Sequence, residues 1–186
     1  MRSGPGGALD AEQRWAIIRC LLRDPDIDVA DRVAGCFVLL YAQPLSRVAV
    51  MTTDQVNTTG SELTVRFGTQ PVTVPDPLAG HLDTLVTVGR SHHIGIGSTT
   101  PSPWLFPGHL PGRPITALRL GQRLGRFGID ARAARRSAQA HLGTTLPTVV
   151  LAEMLRITIK TATDWVHDAG GDWSNYAAIT ARGPQC

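Results

Sequence analysis

Apolar residues in the first fifty positions recur at the spacing of α-helices. Repeats of three and four positions predict a helix from about Ala11 to Leu22, and Asp10 directly before it is a good N-cap residue. A second apolar run predicts a buried helix from Val29 to about Tyr41. Pro44 then disturbs the helical pattern, which resumes over Leu45 to Met51. The first part of the chain is therefore predicted to be helical.

In the middle of the chain the apolar spacing changes to a period of two, which is typical of strands. The alternating runs Leu63–Phe67 and Val72–Val74, with Val56 before them, are separated by glycine-containing turns. This pattern predicts a small antiparallel sheet of two or three strands. Leucines at helical spacing then predict a short helix from Leu78 to Val86, and a stretch rich in Gly, Ser, Thr and Pro predicts a loop over 89–103.

Helical spacing returns after residue 114. It predicts four helices, Ile115–Phe127, Arg132–Leu142, Thr148–Leu155 and Lys160–Ala169, the last two separated by a tight turn at Ile157-Thr158. The first helix is amphipathic, and the leucines expected to face the core are Leu118, Leu120 and Leu124. The pattern as a whole predicts a mainly helical α+β fold in one domain over 1–186, with a flexible tail at 1–9 and a C-terminal segment at 170–186.

The composition excludes several classes of protein. A chain of 186 residues with 42% hydrophobic and 18% charged residues is ordinary for one globular domain, so disorder of the whole chain is not expected. No apolar run approaches the roughly 18 residues of a membrane span, and the N-terminus lacks an apolar signal core, which predicts a cytoplasmic protein without membrane contact. Three cysteines, and His92 next to His93, fit no metal spacing. We therefore expect no metal, cofactor or small-molecule substrate.

The charge is distributed unevenly along the chain. Residues 1–88 carry seven arginines against ten acids, a net charge of −3, whereas residues 89–186 carry eleven basic residues against five acids, a net charge of +6. Seven arginines, accompanied only by Asp130, are concentrated at Arg113, Arg119, Arg123, Arg126, Arg132, Arg135 and Arg136. Such a basic stripe favours a polyanionic partner, the alternative being a solvated helix surface.

The last two predicted helices are also similar to a helix-turn-helix. Ala152 allows close packing of the first helix, and the second helix would enter the major groove of DNA. In that arrangement Thr161 and Thr163 approach base edges, while Lys160 contacts phosphates. The alternative is a pair of core helices joined by a short turn.

Three segments carry motifs in a recognisable order. Gln43 stands eleven positions before Asp54, which precedes the first predicted strand. Trp104-Leu-Phe-Pro107 follows the loop, and Arg132-Ala-Ala-Arg135-Arg136 opens a helix in the basic half. Together they resemble the "GLR" helix with its following Asp, the "LFP" segment and the "HxLRH" box of the catalytic domain of tyrosine recombinases, the family of phage integrases. The resemblance extends over nearly the whole chain and implies that fold, with double-stranded DNA as the partner.

The reaction of that family needs particular residue types. A tyrosine hydroxyl attacks a DNA phosphodiester, two arginines hold the non-bridging oxygens, and a lysine and histidines move protons. The resemblance assigns the corresponding positions to Gln43, Arg47, Arg66, Arg132, Arg135, Ile157 and Trp165. Arg135 matches the second arginine, whereas Gln43 replaces the first, and Arg47 lies one helical turn away as a substitute.

The missing nucleophile is the most consequential difference. Trp165 or Val166 stands where the tyrosine is expected, and an indole cannot attack phosphorus. Arg66 is the only cation on the predicted hairpin and is too basic to serve as a general acid. Ile157 and Arg132 occupy positions where the family carries proton-transferring side chains. The sequence therefore predicts a degenerate site that does not cleave DNA.

Four functions stay open on the sequence alone. The leading hypothesis is a protein of DNA recombination or integration that binds DNA, a partner recombinase or a second copy of itself without strand cleavage. The others are a helix-turn-helix transcription regulator built on 148–169, an active integrase that uses Tyr176 as a displaced nucleophile, and a protein-interaction domain. The predicted DNA contacts are Arg119, Arg123, Arg126, Arg132, Arg135, Arg136, Lys160, Thr161 and Thr163.

Overall fold

Helices surround a small sheet in the computed structural model, which describes residues 9–91, 102–110 and 112–168. The helices are α1 (Ala11–Arg23), α2 (Val29–Leu39), α3 (Leu45–Val48), α4 (Leu78–Ser91), α5 (Ala117–Gly125), α6 (Ala131–Thr145), α7 (Thr148–Leu155) and α8 (Ile159–Asp168). Strands β1 (Val56–Thr59), β2 (Glu62–Arg66) and β3 (Pro71–Thr73) pair antiparallel in the order β1-β2-β3. The predicted fold class, mainly helical with a small antiparallel sheet, is confirmed.

Helix α2 lies at the centre of the core. It packs against α1, α4, α5 and α6, and its residues from Val33 to Leu39 are all buried. Gly35 permits the close approach of α1, because a Cβ there would lie 2.6 Å from the Cδ1 atom of Leu21. Phe37 links the helix to the sheet through an edge-to-face contact with Phe67, with 5.0 Å between ring centroids. The central position of α2 places its C-terminal end in the interior, next to the candidate site.

Aspartate side chains cap the beginnings of two helices. The Oδ1 atom of Asp130 accepts hydrogen bonds from the backbone N–H groups of Arg132 and Ala133 at the start of α6, and Asp28 accepts one from Ala30 in α2. Asp10 is the N-cap residue of α1, but its side chain makes no capping hydrogen bond. Local capping therefore fixes where α6 begins, and with it the direction of the arginines on its first two turns.

The structure corrects some details of the prediction. Leu118 is 72% exposed, although it was expected in the core. At 3.6 residues per turn it lies about 200° around the helix from Leu120, so the two side chains point to nearly opposite faces. Leu120 and Leu124 are the leucines of this helix that are buried. Helix α3 ends at Val48 rather than near Met51, while α4 and α6 run further than expected.

Three predicted segments lie largely outside the described residues: the N-terminal tail, most of the loop and the C-terminal segment. Helix α4 occupies the first positions of the expected loop, since it ends only at Ser91. Within the described part of the chain, none of the helices combines the length and the apolar character that a bilayer crossing requires.

Candidate functional site

The candidate site is built around the turn that joins α2 to α3. Ala42 adopts a left-handed backbone conformation there, with φ of 53°, and the next residue, Gln43, is completely buried. The Nε2 atom of Gln43 donates to the carbonyl oxygen of Tyr41 at 2.9 Å and to that of Met154 at 3.4 Å. The turn is thereby attached to the C-terminal end of α7, which is distant in sequence.

Arg47 lies beside Gln43, one helical turn further along the chain. Its Nη1 atom donates to the Oε1 atom of Gln43 at 3.1 Å and to the carbonyl oxygen of Leu155 at 3.2 Å. The last carbonyl groups of a helix have no intrahelical donor, so Gln43 and Arg47 together satisfy two of them at the end of α7. Burial lowers the pKa of Arg47, and the positive charges of Arg156 and Arg135 lower it further.

Arg135 reaches the same turn from α6. Its Nε atom donates to the carbonyl oxygen of Ala42 at 2.9 Å, and the side chain is partly buried. Burial lowers the pKa of this guanidinium as well. The two arginines at positions 47 and 135 thus meet at one turn although they lie on different helices.

Sequence analysis missed Arg156, the residue that ends α7. It adopts the left-handed conformation, with φ of 54° and ψ of 48°, and its backbone N–H donates to the carbonyl oxygens at the end of the helix. A basic residue directly after a helix end was a signal in the sequence, but only the packing of α7 against the 42–43 turn brings it next to Arg47. We call Arg47, Arg135 and Arg156, with Gln43 among them, the arginine cluster.

No carboxylate in the described ranges forms an ion pair with a member of this cluster. An open cavity of about 320 Å³ lies beside Arg156 and is lined also by Thr69, Ile157 and Glu153. Glu153 is exposed and is the one acidic residue among the lining side chains. The cluster therefore carries an excess of positive charge next to solvent, an arrangement suited to an anion.

Two of the other predicted site residues, Arg66 and Arg132, do not join the cluster. Arg66 forms an exposed ion pair with Asp54 at 3.9 Å, and Arg132 is exposed on the first turn of α6. Within the part of the chain that the structure describes, neither makes a hydrogen bond to the cluster. Ile157 is half-buried against the core, and Trp165 lies on α8. The side chain of Trp165 and the whole of Tyr176 are outside the described residues.

The predicted phosphate contacts on α5 and α6 differ from one another. Arg119, Arg126 and Arg136 are exposed. Arg123 was expected to face solvent, but its guanidinium lies 2.7 Å from an oxygen of Asp31 and 3.1 Å from one of Asp28. These carboxylates at the start of α2 already neutralise it, so Arg123 attaches α5 to α2 instead of adding to a free basic surface.

Helices α7 and α8 pack against each other across the turn at Arg156–Thr158. Thr158 caps α8, since its Oγ1 atom accepts from the N–H of Thr161 at 3.2 Å and lies 2.9 Å from the hydroxyl of Thr161. Thr163 donates its hydroxyl to the carbonyl oxygen of Ile159, and Lys160 lies 3.6 Å from Asp164 in an exposed pair. The three residues expected to contact DNA therefore all have partners within the turn or the helix.

A larger groove has a volume of about 980 Å³. Residues of α3, of the N-terminal part of α5 and of the segment between Pro107 and Thr116 line it, and most of the lining is apolar. Arg113, Arg119 and Arg123 also line it. Neither the members of the arginine cluster nor the other predicted catalytic positions line this groove.

Comparison with solved structures identifies the fold. The chain matches the XerA recombinase with a TM-score of 0.62 and 11% identity, over 97% of this chain and 67% of that one. It matches the XerH site-specific recombinase bound to its difH substrate with a TM-score of 0.61 and 12% identity, over 90% of this chain and 53% of that one. For a lambda integrase dimer bound to a COC' core site the TM-score is 0.52 and the identity 12%, over 93% and 63%.

The protein thus has the fold of tyrosine-recombinase catalytic domains, and it spans about half to two thirds of the length of the structures it matches. The sequence matches no protein-family model and no curated protein.

Proposed function

We propose that this domain binds the phosphate backbone of double-stranded DNA through the arginine cluster and does not cut the strand. The observation that carries this proposal is the convergence of Arg47, Arg135 and Arg156 at one turn without a paired carboxylate among the described residues. A guanidinium presents several N–H donors in a planar fork that fits phosphate oxygens. Solved structures with the same fold include recombinases in complex with DNA.

The proposal that the strand is not cut depends on the residue types at the site. Gln43 is neutral, and its amide donates to two backbone carbonyl groups, so it adds no charge where the family has an arginine. Ile157 has no proton to transfer, and the resemblance puts Trp165 in the position of the nucleophile. A phosphate group would be held by the cluster but not attacked.

DNA binding is tested by measuring the affinity for a fluorescent duplex as a function of salt. Removing Arg135 deletes charge-assisted hydrogen bonds worth roughly 1.5–3 kcal/mol, so Arg135→Ala should weaken binding by roughly 10- to 100-fold. The plot of the logarithm of the association constant against the logarithm of the salt concentration has a negative slope, and this slope should become shallower by about 0.9 for each lost phosphate contact. Arg19→Ala, an exposed position on α1, removes the same charge and is the matched control. Equal losses in both variants would show that only overall charge matters.

The absence of cleavage is tested with a nicked duplex that traps a covalent 3'-phosphotyrosyl intermediate. We expect no adduct after denaturing electrophoresis. An adduct that disappears in Tyr176→Phe would establish the displaced nucleophile and overturn this part of the proposal.

A sequence-specific regulator is the second candidate, because α7 and α8 are joined by a capped three-residue turn, as in a helix-turn-helix. In that case Thr163→Ala should abolish discrimination between duplexes of different sequence, whereas Arg135→Ala should weaken all of them equally. Native gel electrophoresis of the same protein–duplex mixtures would show binding of a second copy of the chain as an additional, slower-migrating complex. Adding a recombinase to these mixtures tests in the same way whether it is a partner.

A further inference from the structure

The backbone of Arg156 has a conformation that L-residues rarely adopt. Its φ of 54° and ψ of 48° lie in the left-handed region, where the Cβ atom approaches the carbonyl oxygen and glycine is favoured. Glycine is also the usual residue at the position that follows a helix in this way. Arginine is therefore a conformationally unfavourable choice at position 156.

Packing does not explain the arginine. The side chain of Arg156 is exposed, and it makes neither a hydrogen bond nor an ion pair with another described residue. The helix end itself is completed by backbone hydrogen bonds, from the N–H of Arg156 to the carbonyl oxygen of Glu153 and from that of Ile157 to the carbonyl oxygen of Ala152, and these bonds do not involve the arginine side chain. The arginine side chain thus contributes no described contact that stabilises the fold.

Two other arginines lie in the surroundings of Arg156. The carbonyl oxygen of the preceding residue, Leu155, accepts from Arg47 at 3.2 Å, so the two arginines are held at the same helix end. Arg135 is joined to the adjoining turn through Ala42. The positive charges of Arg156 and Arg135 both act on Arg47 and lower its pKa, and the exposed Glu153, which lines the cavity, forms no ion pair with any of these three described arginines.

We propose that Arg156 is an anion-binding residue, retained at the expense of stability, that completes with Arg47 and Arg135 a site for one phosphate group. The chemical class of the ligand is a tetrahedral oxyanion, supplied either by a DNA phosphodiester or by free phosphate. Only the first source rests on the proposed function. The phosphate oxygens would accept from guanidinium groups on α3, on α6 and at the end of α7, and would neutralise their repulsion.

The decisive variant is Arg156→Gly, because the proposal predicts effects of opposite sign on stability and on binding. Without added anion, its Tm should rise by roughly 2–4 °C, since glycine removes the backbone strain and one repelling charge. The increase in Tm that inorganic phosphate causes in the wild type, relative to chloride at equal ionic strength, should largely disappear. The Kd for a duplex should increase by about tenfold.

Two further variants separate charge from conformation. Arg156→Ala lacks the cation but keeps a Cβ in the left-handed conformation, so it should lose binding while its Tm rises less than that of Arg156→Gly. Arg156→Lys keeps the charge and should retain most of the phosphate effect. Arg19→Ala again controls for net charge.

Each possible result of these measurements either supports or overturns the proposed role of Arg156. A lower Tm for Arg156→Gly would mean that the arginine stabilises the fold, and an unchanged phosphate effect would mean that it does not bind the anion; either result overturns the proposal. Loss of the phosphate effect with unchanged duplex affinity would support the site but identify free phosphate as its ligand. If Arg135→Ala weakens duplex binding while Arg156→Gly changes neither the duplex affinity nor the phosphate effect, the proposed function stands and this inference fails.

Discussion

Gly68 packs against the backbone at the arginine-bearing end of α7. It follows β2 in the turn that leads to β3, and a Cβ atom built on it would lie 2.2 Å from the carbonyl oxygen of Glu153 and 3.0 Å from the carbonyl carbon. The obstacle is backbone rather than the end of a flexible side chain. Gly68→Ala should therefore force the turn and the end of α7 apart. Arg156, which follows α7, should be displaced with the helix end.

The size of the effect follows from the overlap. An ordinary carbon–oxygen contact is about 3.4 Å, so the two segments must separate by roughly 1 Å, and overpacking of this kind costs about 1–3 kcal/mol. For a domain of this size that corresponds to a Tm decrease of roughly 2–12 °C. Gly125→Ala is the matched control, because Gly125 is helical and a Cβ there meets nothing within 4 Å. Alanine at that position should leave Tm unchanged or raise it by a few degrees.

Thermal unfolding followed by circular dichroism measures both variants, and duplex affinity reports the position of the arginine cluster. Gly68→Ala should lower Tm and also weaken DNA binding at temperatures where the variant is fully folded. Equal Tm values for Gly68→Ala and Gly125→Ala would refute the close packing of the hairpin on α7. A lower Tm with unchanged affinity would refute the idea that this contact positions the cluster.

Three other predictions test single features of the fold. Leu118→Ser should change the free energy of unfolding by less than about 0.5 kcal/mol because the side chain is exposed, whereas Leu120→Ala should cost roughly 2–5 kcal/mol; chemical denaturation measures both. Arg123→Ala should destabilise the domain by roughly 1–3 kcal/mol, since its carboxylate partners lose their counter-charge, yet leave the salt slope of DNA binding unchanged. An altered slope would show that this arginine does reach phosphate. Burial raises the pKa of Cys36 to about 12, so a thiol reagent at pH 8 should label Cys20 and, until the domain unfolds, spare Cys36; peptide mapping shows which cysteine reacted.

Several elements follow from local sequence alone. The spacing of apolar residues and the turn residues predicted the bounds of α7, and they predicted two or three strands and the start of α6 to within one residue of the observed bounds. These features are local because a helix or strand needs only its own periodicity and caps. The motif resemblance predicted the fold, which the solved structures confirm. The roles of Arg135 and of the other DNA-binding residues stay predictions.

The tertiary structure alone decided which charges remain available. Arg123 and Arg135 both looked like free cations in the sequence, but two carboxylates from α2 neutralise one of them, and the other joins Arg47 at the Ala42–Gln43 turn. Arg156 entered the cluster only because α7 ends against that turn. Residue order sets which side chains a helix carries and which face is apolar, whereas the charge next to a side chain depends on segments that are a hundred residues away in sequence.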